Sequence, residues 1–299
     1  MSKYIENNES GNLYIIITNS MQNDFIEREY LAEIKNDISD PWKVSYEVCR
    51  EQWIRYFKNK TIPPGEKDID NFIEMIKNFD DPRANELKYS YHQFIKKYKH
   101  RVHINIDQSN RLWDNDRLVK FIDDLMKKAS DTNKADNKDR YYFIHLRDWH
   151  DPIDPSQVEE MTNFGYHCIK GSHGAKFIES LAKYVETPPY NTFTQVINSN
   201  SLSSFTETKL DFILDSIINN HNSSTEKAII GVFGVVTDVK LKLLTFELKV
   251  IHNFKNVYLC EDLSASFSQA GHKNGLNYME YVLGVNVLKE DKFREIFKF

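Results

Sequence analysis

The chain has 299 residues, a net charge of −5 and 40% apolar residues, a size and balance that fit one large soluble α/β domain or one domain carrying a sizeable insertion. Lys and Arg are interspersed with Asp and Glu, so no basic face points to nucleic acid, and no segment approaches the roughly 18 uninterrupted apolar residues of a membrane span. Three well-separated cysteines (Cys49, Cys168, Cys260) and a polar start over Met1–Gly11 predict a reduced, cytoplasmic protein with small, buried, unreactive cysteines.

The first predicted element is a strand over 13–18, which delivers Asp24 to the mouth of a sheet. Residues 28–105 then leave the strand–helix alternation. They hold two amphipathic helices, 42–58 (Trp42, Val44, Val48, Trp53, Phe57) and 68–79 (Ile69, Phe72, Ile73, Ile76), broken by Pro63-Pro64-Gly65, and a Lys/Tyr/His-rich piece follows over 88–103. Because it departs just after Asp24, this helical insertion reads as a lid or an oligomerisation arm. A helix is predicted over 115–129, with Leu118, Phe121, Ile122, Leu125 and Met126 at helical spacing. A polar surface loop over 131–138 and a strand over 141–147 come next.

Further along, a weaker strand around 194–198 precedes a helix over 204–220. A nearly all-apolar strand over 228–236 precedes a helix over 238–250. A strand over 256–260 and a helix over 272–283 complete the series. Continuous apolar runs, unlike alternating ones, mark strands covered on both faces. The fold class is therefore α/β: a doubly wound, mainly parallel sheet flanked by helices, one domain over 11–299 with the 28–105 helical insertion inside it, and ligands expected beyond the C-terminal strand ends.

Asp148 and His150 are one residue apart just past a strand end, so their side chains share a side of an extended segment. His167 would complete an Asp/His/His set suited to Zn²⁺ or another divalent metal such as Fe²⁺ or Mn²⁺. His173 is a poor fourth candidate, and His100 and His103 read as surface residues. No nucleotide cofactor is expected.

Three segments together resemble the isochorismatase-like cysteine hydrolases, in particular their nicotinamidase branch. They are Ile17-Thr18-Asn19-Ser20-Met21-Gln22-Asn23-Asp24-Phe25; Arg147-Asp148-Trp149-His150 with Gly165-Tyr166-His167-Cys168 and Gly171-Ser172-His173-Gly174-Ala175; and Gly234-Val235-Val236-Thr237-Asp238-Val239-Lys240 with Glu261-Asp262-Leu263-Ser264-Ala265-Ser266. The resemblance spans about 11–27 and 110–299. It implies an isochorismatase-like fold and an Asp–Lys–Cys catalytic trio with a backbone oxyanion cradle. It also implies a non-proline cis peptide at Val235–Val236. Of the trio only Asp24 is retained. Asn198 or Ser199 stands at the lysine position, and Lys240 stands where the nucleophilic cysteine belongs.

An ammonium in that place would be tolerable if it pointed at Asp24, so an Asp24–Lys240 ion pair is expected. The alternative is a Lys240 side chain reaching solvent beside Lys242. The expected function is that of a catalytically degenerate family member that binds a small molecule or a protein partner. One alternative is a metal-dependent hydrolase using metal-bound water with Asp24 as base. Another is a structural subunit of a homo-oligomer or hetero-complex, with no nucleic-acid or membrane partner.

Overall fold

The run Leu-Tyr-Ile-Ile-Ile-Thr-Asn forms strand β1 (Leu13–Asn19), buried along its whole length. Successive side chains point to opposite faces. Tyr14 and Ile16 enter one apolar layer with Phe121, Phe143, Phe293 and Phe297, while Leu13, Ile15 and Ile17 enter the other with Ile144, Leu214, Ile230 and Leu244. A strand packed on both sides belongs in the middle of a sheet, and β1 lies there.

This computed structural model describes residues 11–26, 104, 106–135, 138–151, 154–157, 160, 164, 167–185 and 187–299. The expected 28–103 helices, Cys49, His100 and His103 lie outside them. The other strands are β2 (Arg140–Asp148), β3 (Thr194–Ser199), β4 (Ile229–Val235), β5 (Asn256–Ala265) and β6 (Asn286–Leu288). They form a six-stranded sheet in the order β3-β2-β1-β4-β5-β6, with every pairing parallel. The chain winds outward from β1 to β3 and then restarts beside β1 with β4. The order therefore reverses between β1 and β4, where a crevice forms beyond the carboxyl ends of a doubly wound sheet. The doubly wound expectation holds. β6, with three residues, was too short to carry a periodic signal.

Helices cover both faces: α1 (Asn23–Ile26), α2 (Ile106–Trp113), α3 (Arg117–Lys134), α4 (Glu179–Val185), α5 (Leu210–Asn220), α6 (Lys242–Phe246), α7 (Gln269–Tyr281) and α8 (Glu290–Phe297). Three boundaries differ from expectation. Helix α3 continues to Lys134 because Ala129, Ser130 and Thr132 still face the core, so the predicted loop begins later than 131. Helix α5 starts at Leu210 rather than 204, because local hydroxyls take the backbone groups that a helix would use. Ser203 Oγ accepts from the N–H of Phe205 and of Thr206 at 3.2 and 3.0 Å, and Thr208 Oγ1 accepts from Leu210 N at 3.2 Å. Helix α6 is bracketed by wider π-type turns at Thr237–Leu241 and Glu247–Ile251, so helical backbone runs from β4 almost to β5.

Two glycines fit the sheet for steric reasons. At Gly231 a β-carbon would come 2.6 Å from the Phe297 ring, so its absence admits the α8 aromatics. Gly234 has φ +133° and approaches Asn19 so closely that a β-carbon would lie 2.1 Å from the Asn19 carbonyl oxygen. That tight approach seats the end of β4 against β1.

Candidate metal centre at the strand ends

Three strands deliver the predicted residues to one region. Asp24 follows β1, Asp148 ends β2, and Lys240 lies in the first helical turn after β4. The peptide between Val235 and Val236 is cis, and Asn19 Nδ2 donates to the Val235 carbonyl oxygen at 2.7 Å.

Asp148 is held from several sides. Gln22 clamps its backbone, donating through Nε2 to the Asp148 carbonyl at 2.8 Å and accepting from the Asp148 N–H at 2.7 Å. The same Nε2 donates to the Ala175 carbonyl at 2.9 Å. The carboxylate oxygen Oδ1 accepts from Ser20 Oγ at 3.2 Å. Beyond β2 the chain stays extended. His150 pairs in parallel with Ile169, its N–H donating to the Cys168 carbonyl at 3.0 Å while Lys170 N donates to the His150 carbonyl at 2.9 Å. This short ladder brings His167 alongside His150, with ring centroids 4.6 Å apart.

Asp148, His150 and His167 therefore come together, with a fourth member that the sequence reading missed: Glu160. One donor atom from each of the four lies within 4.8 Å of the others. His150 Nε2 is 3.9 Å from Asp148 Oδ2 and 3.8 Å from Glu160 Oε1, and His167 Nε2 is 3.7 Å from Asp148 Oδ2. These separations are too long for hydrogen bonds and suit atoms arranged around a shared centre. Asp148 Oδ2, His150 Nε2 and Glu160 Oε1 are buried without a hydrogen-bond partner, and such atoms call for an explanation.

The tautomer of His150 follows from its other nitrogen. Nδ1 lies 3.2 Å from Gln157 Oε1, which also accepts from Asp151 N, while Gln157 Nε2 donates to Asp154. Nδ1 therefore carries the proton and Nε2 offers a lone pair to the cluster, as a metal-ligating histidine does. Two imidazole nitrogens and two carboxylates form a donor set for Zn²⁺, Fe²⁺ or Mn²⁺. The four residues fit a divalent cation. His173 is exposed and pairs with Asn23, away from the cluster.

Lys240 does not pair with Asp24. Its ammonium lies 3.0 Å from Asp148 Oδ1 and 3.6 Å from Glu160 Oε1, and it donates to the Ser201 carbonyl at 2.7 Å. Lys240 is 4% exposed, so the solvent-directed alternative does not hold either. Asp24 is occupied elsewhere. Its Oδ2 accepts from Cys168 N at 2.6 Å, and its own N–H donates to the Gly174 carbonyl at 3.2 Å. Gly174 packs so tightly that a β-carbon there would come 2.0 Å from Asp24 Oδ1. With Asp24 tied to the 168–174 loop, the lysine reaches the carboxylate at the end of β2 instead.

Burial works against ionisation of Asp148, but the Lys240 ammonium overrides it and holds the carboxyl well below its ordinary range. For Lys240, burial favours the neutral amine. The Asp148 and Glu160 carboxylates outweigh that and raise its pKa.

The lysine-position candidates separate. Asn198 is exposed, its Oδ1 accepting from Arg147 Nε at 3.0 Å. Ser199 is buried and donates to the carbonyls of Ser201 and Ser203. Among the described residues neither is hydrogen-bonded to Asp24; Ser199 pairs with Asp148 in the β2–β3 ladder, and the Ser201 carbonyl accepts from Lys240. Cys168 lies beside Asp24 but is fully buried, with its thiol directed at the Gly174 carbonyl at 3.8 Å. Burial first, and the Asp24 charge second, push its pKa up. Cys260 is buried in β5 and likewise pushed up by burial.

No family model matches the chain, and no curated protein matches it. Solved structures do. A pyrazinamidase/nicotinamidase from Streptococcus mutans UA159 superposes with a TM-score of 0.51 at 16% identity, covering 92% of this chain and 99% of that one. An isochorismatase-like hydrolase from Alkaliphilus metalliredigens gives 0.50 at 15% identity, covering 95% and 99%. An isochorismatase family protein from Desulfovibrio vulgaris gives 0.51 at 12% identity, covering 97% and 100%. The parallel six-stranded sheet of this chain is the isochorismatase-like α/β fold.

Proposed function

We propose that this chain is a catalytically degenerate isochorismatase-like protein that binds a small ligand at a divalent-cation centre and does not cleave amides through a thiol. The reading rests on Lys240. The family resemblance implies that a thiol-dependent member carries its sulfur at the first helical turn after β4, where an adjacent base would activate it. Here that turn carries an ammonium locked to Asp148, Glu160 and the Ser201 carbonyl. The two cysteines among the described residues are buried and biased toward the neutral thiol, which is the poorer nucleophile.

A bound Zn²⁺, Fe²⁺ or Mn²⁺ would supply Lewis acidity and an open position for an oxygen or ring-nitrogen donor. Asp148, His150, Glu160 and His167 would hold it, and Gln22, Ser20 and Gln157 would keep those donors aimed. The same cluster favours a second reading, hydrolysis dependent on the cation with Asp24 as base. The Cys168 N–H and the packed Gly174 hold that carboxylate in place.

The decisive experiment is a nicotinamide and pyrazinamide hydrolysis assay on the metal-supplemented full chain beside Lys240→Cys, with thermal shifts measured for the amides and their acids. The expected result is no wild-type turnover and a stabilising shift with at least one compound. Metal-dependent wild-type turnover would favour the hydrolytic reading. Turnover abolished by a thiol reagent would overturn the proposal.

A further inference from the structure

Asp148 presents its two oxygens to different surroundings. Oδ1 accepts from Ser20 Oγ and lies 3.0 Å from Lys240 Nζ. Oδ2 has no hydrogen-bond partner and faces the Nε2 atoms of His150 and His167. The Gln22 clamp fixes the Asp148 backbone, and the Ser20 hydroxyl contacts the same Oδ1 as the lysine. The direction of Oδ2 therefore has supports besides Lys240. What the lysine adds is charge, placed 3.6 Å from Glu160 Oε1, itself one of the four donors.

A divalent cation among those donors would share a buried enclosure with a fixed positive charge. At an effective dielectric of about 20, a like charge a few ångströms away shifts affinity by an order of magnitude or more. The ammonium also balances the two carboxylates when they hold no ion, so the donors can converge without one.

We propose that Lys240 is a tethered counter-charge of the cation centre: it balances Asp148 and Glu160 in the ion-free protein and weakens the hold of the four donors on a divalent cation. This deepens the proposed function and rests on Asp148, His150, Glu160 and His167 taking such a cation. A lysine at this turn then exchanges a nucleophile for control over loading, making occupancy follow the ambient ion concentration.

The test measures Zn²⁺ and Co²⁺ affinity of the full chain by calorimetry, with the visible absorption of Co²⁺ reporting its coordination. Wild type is compared with Lys240→Gln, which removes the charge while keeping a polar side chain, and with Lys240→Arg, which keeps the charge. Lys240→Gln is expected to bind at least about tenfold more tightly, the effect of deleting a neighbouring like charge. Lys240→Arg should stay near wild type, with a similar Co²⁺ spectrum in all three. Lys240→Met carries the same expectation should the glutamine variant not fold. Equal or weaker binding by a folded, uncharged variant overturns the counter-charge role while leaving the cation centre standing. Failure of wild type and both uncharged variants to take either ion overturns the cation centre itself, and the role with it.

Discussion

Breaking the Lys240–Asp148 pair should cost far more than an exposed pair would. Both residues are nearly sealed from solvent, at 4% and 2% exposure, and their charged atoms are 3.0 Å apart. Removing one member of a buried pair strands the other, at a cost of about 3–5 kcal/mol. With roughly 2.1 cal/mol/K of unfolding entropy per residue over 299 residues, that corresponds to a fall in Tm of about 5–8 °C. Lys240→Met and Asp148→Asn should each show it. Their combination should cost at least about 2 kcal/mol less than the sum, since contacting residues couple.

The pH dependence follows from the signs. The native Asp148 pKa is depressed below the ordinary 3.8, so its contribution is present above about pH 4 and is lost as pH falls through the native value. The native Lys240 pKa is raised above 10.5, so its contribution is present below that pH and is lost as pH rises through the native value. Urea titrations at pH 7 for the four proteins supply the cycle. Additivity within about 0.5 kcal/mol would refute the claim that these two groups stabilise each other.

Gly174→Ala should destabilise the chain or dislodge Asp24, because the added β-carbon would sit 2.0 Å from its carboxylate oxygen; a wild-type melting curve would contradict that packing. Gln22→Leu should cost about 2–4 kcal/mol, since it removes three hydrogen bonds at 2.7–2.9 Å and leaves buried Asp148 and Ala175 groups unmatched. Chemical denaturation checks it. His145 is fully buried, and burial lowers its pKa to about 3. The unfolded imidazole takes a proton below about pH 6.5, so this histidine erodes stability as pH falls from there toward about 3, and its ring resonances in an NMR titration should stay at their neutral positions down to about pH 4.

The sheet was readable because its strands are apolar on both faces. Ile15-Ile16-Ile17 and Val232-Phe233 feed two separate cores, and that demand leaves unbroken hydrophobic runs. Asp148 and His150 were legible for a related reason, since alternate residues of an extended segment share a side, and His167 was legible from the His-Cys element of the family resemblance. Glu160 was not, because the sequence reading placed no element between His150 and His167, where Glu160 sits in helical backbone. Four acidic side chains lie between His150 and His167 (Asp151, Asp154, Glu159 and Glu160), and nothing in the pattern singled out one of them.

The partner of Lys240 was misjudged because a sequence can put two strand ends in the same crevice without telling which carboxylate a flexible side chain reaches. The decision came from a backbone group. Cys168, held at φ +46°, turns its N–H onto Asp24 and takes that acid out of the lysine's reach. The late start of α5 likewise turned on hydroxyls competing for main-chain groups, which a hydrophobic pattern does not register.

The Lys240 ammonium joins the end of β2, the loop after β3, the segment at Glu160 and the helix after β4, positions separated by up to 92 residues. A fragment that lacks either end of residues 148–240 cannot assemble that junction. An ion captured by Asp148, His150, Glu160 and His167 would instead hold together the end of β2 and the segment that follows it, so that titrating the cation should raise the melting temperature by mass action.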